Sequence, residues 1–134
     1  MQKGKAPNKE HYHKHYHDLL FQDYFAPEPV YNANDFRHHF RMQCTLFDRI
    51  LHDLRAYNDY FEWKVDALGK PGFSTEQKLT AAFWMLAYGA SADQLDEYIC
   101  MAESTCLNNL QRFRQSIIGK YGEEYLRALS ESSL

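Results

Sequence analysis

Between Ser74 and Gly119 the chain reads STEQKLTAAFWMLAYGASADQLDEYICMAESTCLNNLQRFRQSIIG, with helix starts and stops at short intervals. Ser74 followed three residues later by Gln77 forms a capping box, each side chain satisfying a backbone N–H that a first helical turn leaves without a partner. Leu79, Ala82, Phe83 and Leu86 then recur at i, i+3, i+4 and i+7, and Trp84, Met85 and Tyr88 fill the flanks. A helix apolar nearly all round belongs at the centre of a fold. Gly89 predicts its end, because glycine takes the left-handed C′ conformation without a steric penalty. A second box, Ser91 with Gln94, predicts a short helix carrying Ala92, Leu95, Tyr98 and Ile99 and stopping near Cys100.

After the turn at Cys100 to Glu103, Ser104 is the expected N-cap of a third helix. The spacing assigns Leu107, Leu110, Phe113, Ile117 and Tyr121 to its apolar face, and Thr105, Asn108, Asn109, Arg112 and Ser116 to the opposite one. Two short helices, a tight turn and a final helix with a polar face have the organisation of a helix-turn-helix. Arg114 falls on the apolar side, where its stem is expected to pack while the guanidinium pairs with Asp96 or Glu97 of the preceding helix.

The rest of the chain reads as scaffold. Residues Lys9 to Phe25 predict a helix with His11, His13, His15 and His17 at alternate positions. His11 with His15, and His13 with His17, fall at the i, i+4 spacing that can chelate a transition metal, but no Cys, Asp or Glu completes a tetrahedral set. A solvated arm whose histidines hold nothing is the simpler expectation. Pro27 and Pro29 end that helix, and Asn34 predicts the cap of a short one with Phe36 and Phe40 inward and Arg37, His38 and Arg41 outward. Arg37 and Arg41 make this the most basic patch in the chain, an ordinary solvated face that also offers phosphate contacts. Thr45 with Asp48 predicts the next helix start, followed by the stripe Phe47, Ile50, Leu51, Leu54, Asn58 and Phe61, apolar except at Asn58. Gly69-Lys70-Pro71-Gly72 marks a loop, and Gly119 and Gly122 are expected to weaken the last helix before a short turn over Glu123 to Leu129 and a frayed tail.

No stretch alternates at period two between hairpin turns, so the chain is expected to be all-α, a bundle of about five to six helices. Its expected parts are a His-rich arm (1–26), a helical scaffold and loop (27–73), a three-helix region (74–121) and a short helix with a tail (122–134). At 134 residues it has the size of one domain. Three cysteines without C-x-x-C spacing suggest free thiols in a reducing compartment. No apolar run reaches the roughly 18 residues that span a bilayer, and no secretion signal is evident, so no membrane partner and a nuclear or cytosolic location are expected. The formal charge is −3, and three basic residues face five acidic ones between Ser74 and Gly119. That balance predicts weak binding to DNA by the chain alone, since phosphate neutralisation supplies most non-specific affinity.

Several motifs then occur in a telling order: F-R-x-x-F-R-M at Phe36 to Met42, V-D-A-x-G-K at Val65 to Lys70, Q-K-x-T-A-A-x-x-M-L-A-Y-G at Gln77 to Gly89, A-D-x-x-D-E-Y at Ala92 to Tyr98, E-S-T at Glu103 to Thr105 and KYGEEYLR at Lys120 to Arg127. From Asp23 to Arg127 the chain resembles the N-terminal region of PIF/Harbinger-type transposases of the plant branch, the family that includes Harbinger transposase-derived nuclease-like proteins. The resemblance implies a helical region that contacts transposon DNA through a helix-turn-helix, ahead of an RNase H-like domain whose D-D-E triad holds Mg2+ or Mn2+. In the family the first acid of that triad lies downstream of G-E-E-Y-L-R, and no position of this chain matches any of the three. The implied chain is therefore not an enzyme by itself and needs no cofactor. It would be a fragment, a truncated transposon relic or a domesticated DNA-binding module.

The leading expectation is a double-stranded DNA binder that uses Thr105, Asn108, Asn109 and Arg112, since Asn suits adenine and Arg suits guanine. The alternative is a protein-interaction module, either homo-oligomeric or docking the Myb-like protein that such elements also encode. An exposed aromatic patch among Tyr57, Tyr60, Phe61 and Trp63 would favour that alternative.

Overall fold

The computed structural model describes the backbone over residues 9–132 and the side chains over 13–122. It is all-α: α1 (Lys9–Leu20) runs into a π-helical turn (Phe21–Phe25), followed by α2 (Ala33–Phe40), α3 (Cys44–Tyr57), a 3-10 turn (Asp59–Phe61), α4 (Thr75–Tyr88), α5 (Ala92–Ile99) and α6 (Glu103–Ser132). Among the described residues the only β pairing is one isolated bridge, Val65 with Pro71, inside the loop before α4. Asp66 organises that loop, its Oδ1 accepting from the backbone N–H of Leu68 at 2.8 Å and of Lys70 at 2.9 Å. No helix among the described residues is long and apolar enough to cross a membrane.

α4 lies at the centre and packs against α1, α2, α3, α5 and α6. Its start is the predicted capping box, with Ser74 accepting from the Gln77 N–H and Gln77 from the Ser74 N–H, and its end is Gly89 at φ 65°. α5 likewise starts on the Ser91–Gln94 box and stops at Cys100, a left-handed residue at φ 63°. The first two turns of α4 are buried, but the helix emerges at its C-terminal end, where Leu86 and Tyr88 are exposed.

Two apolar clusters hold the helices together. The larger joins Leu20, Tyr24, Phe36, Phe40, Phe47, Leu51, Leu54, Phe61, Leu79, Ala82 and Phe113, and so draws on α1, α2, α3, α4 and α6. The smaller, Ala81, Leu95, Ile99, Met101 and Cys106, seats α5 and the turn after it on α4, and Trp84 packs against both. None of the three cysteines is in a disulfide, Cys100 and Cys106 are buried and Cys44 is half-buried, and burial raises the thiol pKa of Cys44 and Cys106.

Several expected boundaries move. α2 is capped by Asn32, not Asn34, through a box with Asp35. α3 starts at Cys44 with no side-chain cap, so the Thr45–Asp48 box does not form; the Cys44 thiol approaches Asp48 instead. α6 starts one residue ahead of Ser104, on the Ala102 carbonyl, which accepts from the Cys106 N–H at 2.9 Å. α6 also passes through Gly119 and Gly122 without a break, continuing over the expected turn at Glu123 to Leu129, because neither glycine adopts positive φ. The Tyr57 phenol lies against Gly119, where a Cβ would have to displace the outer end of that exposed side chain.

α1 is not a solvated arm. His17 is buried, its Nδ1 lies 2.7 Å from Ser74 Oγ, and its ring packs 4.2 Å from that of Trp63. His13 stacks on Phe73 with centroids 3.8 Å apart, and its backbone carbonyl accepts from Gln77 Nε2 at 3.0 Å. The alternate histidines therefore dock α1 onto the capping box of α4, while His15 faces solvent and the His11 ring lies outside the described residues. Among the described residues no group of three His, Cys, Asp or Glu side chains converges as a metal site.

Burial holds the pKa of His17 below its ordinary 6.5, against smaller opposing effects from Glu76 and Asp18. The unfolded chain then takes up this proton first as pH falls, so stability is expected to decline below about pH 6.5 until the folded imidazole titrates too. Urea denaturation at a series of pH values checks this. In His17→Gln the slope just below neutrality should flatten, and an unchanged slope would mean that His17 is not its source.

Candidate nucleic-acid interface

The site expected from the sequence is the outward face of α6; Leu110, Phe113, Ile117 and Tyr121 of the expected apolar face do pack on the core, but the buried stripe is shifted from them towards Cys106, Asn109 and Ser116. Cys106, Asn109, Phe113 and Ser116 are the buried positions, with Leu110 and Ile117 beside them, while Leu107 is 56% exposed and Ile118 69%. The inward stripe is thus partly polar, and its polar members are tied down. Asn109 Nδ2 donates to the Lys78 carbonyl at 2.8 Å, and its Oδ1 accepts from the Tyr60 hydroxyl at 2.8 Å. Ser116 Oγ accepts from Asn58 Nδ2 at 2.9 Å. Asn58, the polar break in the expected α3 stripe, is the residue where α3 ends and the 3-10 turn begins, and its Oδ1 also caps that turn at Tyr60.

Asn109 is therefore a structural tie and not a base-reading residue, and Ser116 leaves the outward face with it. Thr105 is half-buried, while Asn108 and Arg112 are exposed as expected. The centre of the outward face is a row that the sequence reading missed: Ser104, Asn108, Gln111 and Gln115, at i, i+4, i+7 and i+11, all exposed. Placing Cys106 and Phe113, seven residues apart, on the inward side would have found it. Arg114 is exposed too, and does not lie on the apolar side where the sequence placed it.

The edge at Arg112 is basic. The Arg112 guanidinium lies 4.9 Å from the centroid of the Tyr60 ring, and the Lys78 ammonium 4.4 Å from the same ring. Lys78 Nζ also donates to the Tyr60 and Glu62 carbonyls. Its pKa is pushed down to about 8, first by burial and then by Lys64 and Arg112, with Asp59 opposing. Lys64 is paired with Asp59. Burial raises the Tyr60 phenol to about 12 although Arg112 works in the other direction.

Arg37 and Arg41 belong to another surface. Arg37 is exposed on α2 and reaches Asn34 Oδ1 at 3.5 Å. Arg41, left-handed at φ 62°, lies 4.7 Å from the centroid of the Tyr88 ring at the far end of α4. Lys78 and Tyr88 are ten residues apart, about 15 Å along the helix axis. The structure therefore does not bring Arg37 and Arg41 together with Arg112. Of Tyr57, Tyr60, Phe61 and Trp63, Tyr57 and Trp63 are exposed as expected, whereas Phe61 is fully buried and Tyr60 is half-buried beneath the two cations, so the four do not make one exposed patch.

Of the five acidic residues between Ser74 and Gly119, three lie on α5, Glu76 lies on α4 and Glu103 is exposed at the first position of α6. From Ser104 to Lys120 α6 carries Arg112, Arg114 and Lys120 and no Asp or Glu, whereas α5 carries Asp93, Asp96 and Glu97 and no basic residue.

A family model described as Domain of unknown function (DUF8418) matches residues 17–55, less than a third of the chain, running from His17 through α2 into α3. That segment supplies Tyr24, Phe36, Phe40 and Phe47 to the core and does not reach α6. No curated protein and no solved structure matches the chain.

Proposed function

We propose that this chain is a DNA-binding module that presents α6 to the major groove, with α5 and the turn at Cys100 to Ala102 as the first part of a helix-turn-helix. The observation that carries this reading is the exposed row Ser104, Asn108, Gln111 and Gln115 on a helix face without acidic residues. Amide side chains can make bidentate bonds to adenine, and an α-helix fits the groove. Arg112, with Lys78 and Lys64 beyond it, supplies phosphate contacts along one edge, and Arg114 and Lys120 add positive charge. The mutual repulsion that helps to depress the Lys78 pKa marks a local positive potential that a phosphate would relieve. α5, with three carboxylates, stands off the phosphates.

The resemblance to PIF/Harbinger-type transposases supports the same reading and names transposon-end DNA as the duplex to try first. In this reading the chain works in the nucleus as the non-catalytic DNA-binding portion of such a protein, and a Myb-like partner or a second copy would add the positive charge it lacks.

Fluorescence anisotropy with transposon-end and scrambled duplexes over a salt series tests the proposal. Arg112→Ala should weaken binding to both duplexes and reduce the salt slope by about one. Asn108→Ala and Gln111→Ala should each cost about 1–3 kcal/mol on the preferred duplex and less on the scrambled one. Binding unchanged by all three substitutions would refute it.

A further inference from the structure

Towards the C-terminal end of α4, a cavity of about 460 Å³ opens between the π-helical turn, α2, α4 and α5. We propose that it is an aromatic cage for an alkylated ammonium group, walled by Tyr24, Tyr31, Trp84, Tyr88 and Tyr98.

The arrangement of the rings selects the ligand's shape. Trp84 stands at 73° to Tyr24 and at 81° to Tyr98, each with centroids 6.4 Å apart. Tyr31 stacks on Tyr24 with centroids 5.0 Å apart, so those two faces already cover each other. Walls at right angles do not sandwich a planar ligand such as a nucleobase. They do surround a compact, rounded group and turn several electron-rich faces towards it, which is how aromatic rings hold a quaternary or methylated ammonium. The volume lies within the range of small-molecule sites and leaves room for the alkyl stem behind the head group.

The charge of the helix along one side of the cavity favours a cation. α5, which lines it with Gln94, Leu95 and Tyr98, carries three carboxylates and no cation. Burial, and then Tyr31, Asp23 and Asp35, hold the Tyr24 phenol well above its usual pKa, so it stays a neutral, electron-rich ring at physiological pH. The hydroxyl of Tyr24 is fixed by His39 Nδ1 at 2.7 Å and that of Tyr88 by the His38 carbonyl, so both rings are set in place from within. At the rim the chain already uses this chemistry, with the Arg41 guanidinium over the Tyr88 ring.

The test is a titration of the whole chain, followed through its two indole N–H resonances. The probes are choline, its neutral tert-butyl isostere, and a short peptide with or without a trimethylated lysine. Trp63, whose indole donates to Gly72 and which does not line the cavity, is the internal control. Choline or the methylated peptide should shift Trp84 saturably and leave Trp63 in place. The neutral isostere should bind at least about fivefold more weakly.

Tyr98→Ala should weaken cation binding by about five- to tenfold. Tyr98 is 66% exposed, so that variant is expected to keep the parent's circular dichroism. Methylated peptide binding more tightly than choline would identify a modified protein as the source, and the reverse a free amine. Equal affinity for the neutral isostere, no saturable shift with any probe, or a folded Tyr98→Ala that binds like the parent would overturn the proposal. Any of these results leaves the α6 reading untouched.

Discussion

Phe47→Ala is expected to lower the free energy of unfolding by about 3–5 kcal/mol, the largest effect of any single truncation considered. Phe47 is fully buried, and its ring meets Phe25, Phe36, Phe40 and Phe83 at centroid distances of 5.2, 5.7, 5.1 and 5.4 Å. It is therefore where the π-helical turn, α2, α3 and α4 meet. Alanine there removes the apolar contact and leaves a cavity that four rings on three different elements cannot close together. Urea denaturation followed by circular dichroism measures the loss. A change below about 1 kcal/mol would mean that the cluster repacks freely and that its packing is not what joins the four elements.

The second large effect is at Asn109, the residue whose expected and observed roles differ most. Asn109→Ala should cost about 2–3 kcal/mol of stability, because it removes a fully buried side chain and leaves the half-buried Lys78 carbonyl without its side-chain donor and the Tyr60 hydroxyl without its acceptor. It also opens a small void where α6 crosses the 3-10 turn and α4. The same substitution at Asn108, one residue earlier and exposed, should change stability by no more than about 0.5 kcal/mol. If the two variants were equally stable, the phase assigned to α6 would be wrong and Asn109 would return to the outward face.

That contrast also shows how far the sequence could be read. The two Ser-x-x-Gln boxes, the stops at Gly89 and Cys100 and the central place of α4 were legible, because each depends on a local pattern of backbone donors and side chains. The phase of α6 was not. Leu107 and Ile118 look like core residues and face solvent, while Asn109 and Ser116 look like surface residues and are buried.

What reverses them is tertiary: Tyr60, the Lys78 carbonyl and Asn58 present polar groups to α6, and only polar side chains can satisfy them. Nothing in the α6 sequence announces such partners. The histidines of α1 failed for a similar reason. Their alternation suggested either a metal or an idle arm, whereas His17 and His13 answer a cap and an aromatic ring some sixty residues away. Arg114, assigned to the apolar side by its spacing, is exposed for the same reason.

The charge reading changes in the same way. A count over Ser74 to Gly119 mixes the acids of α5 with the bases of α6, and only the fold separates them into a face that suits phosphate and a face that suits a cation. Both binding proposals rest on that separation, the first on α6 and the second on the cavity beside α5.

The central claim is that the outward face of α6 meets duplex DNA. The most direct measurement is an amide and side-chain NMR titration of the isotope-labelled chain with a short transposon-end duplex at about 50 mM salt, where even a few phosphate contacts should register. The account predicts shifts concentrated at the side chains of Asn108, Gln111, Gln115 and Arg112, with the Asn109 side-chain amide and α2 unmoved. Shifts confined to Arg37 and Arg41, or none at all, would contradict it.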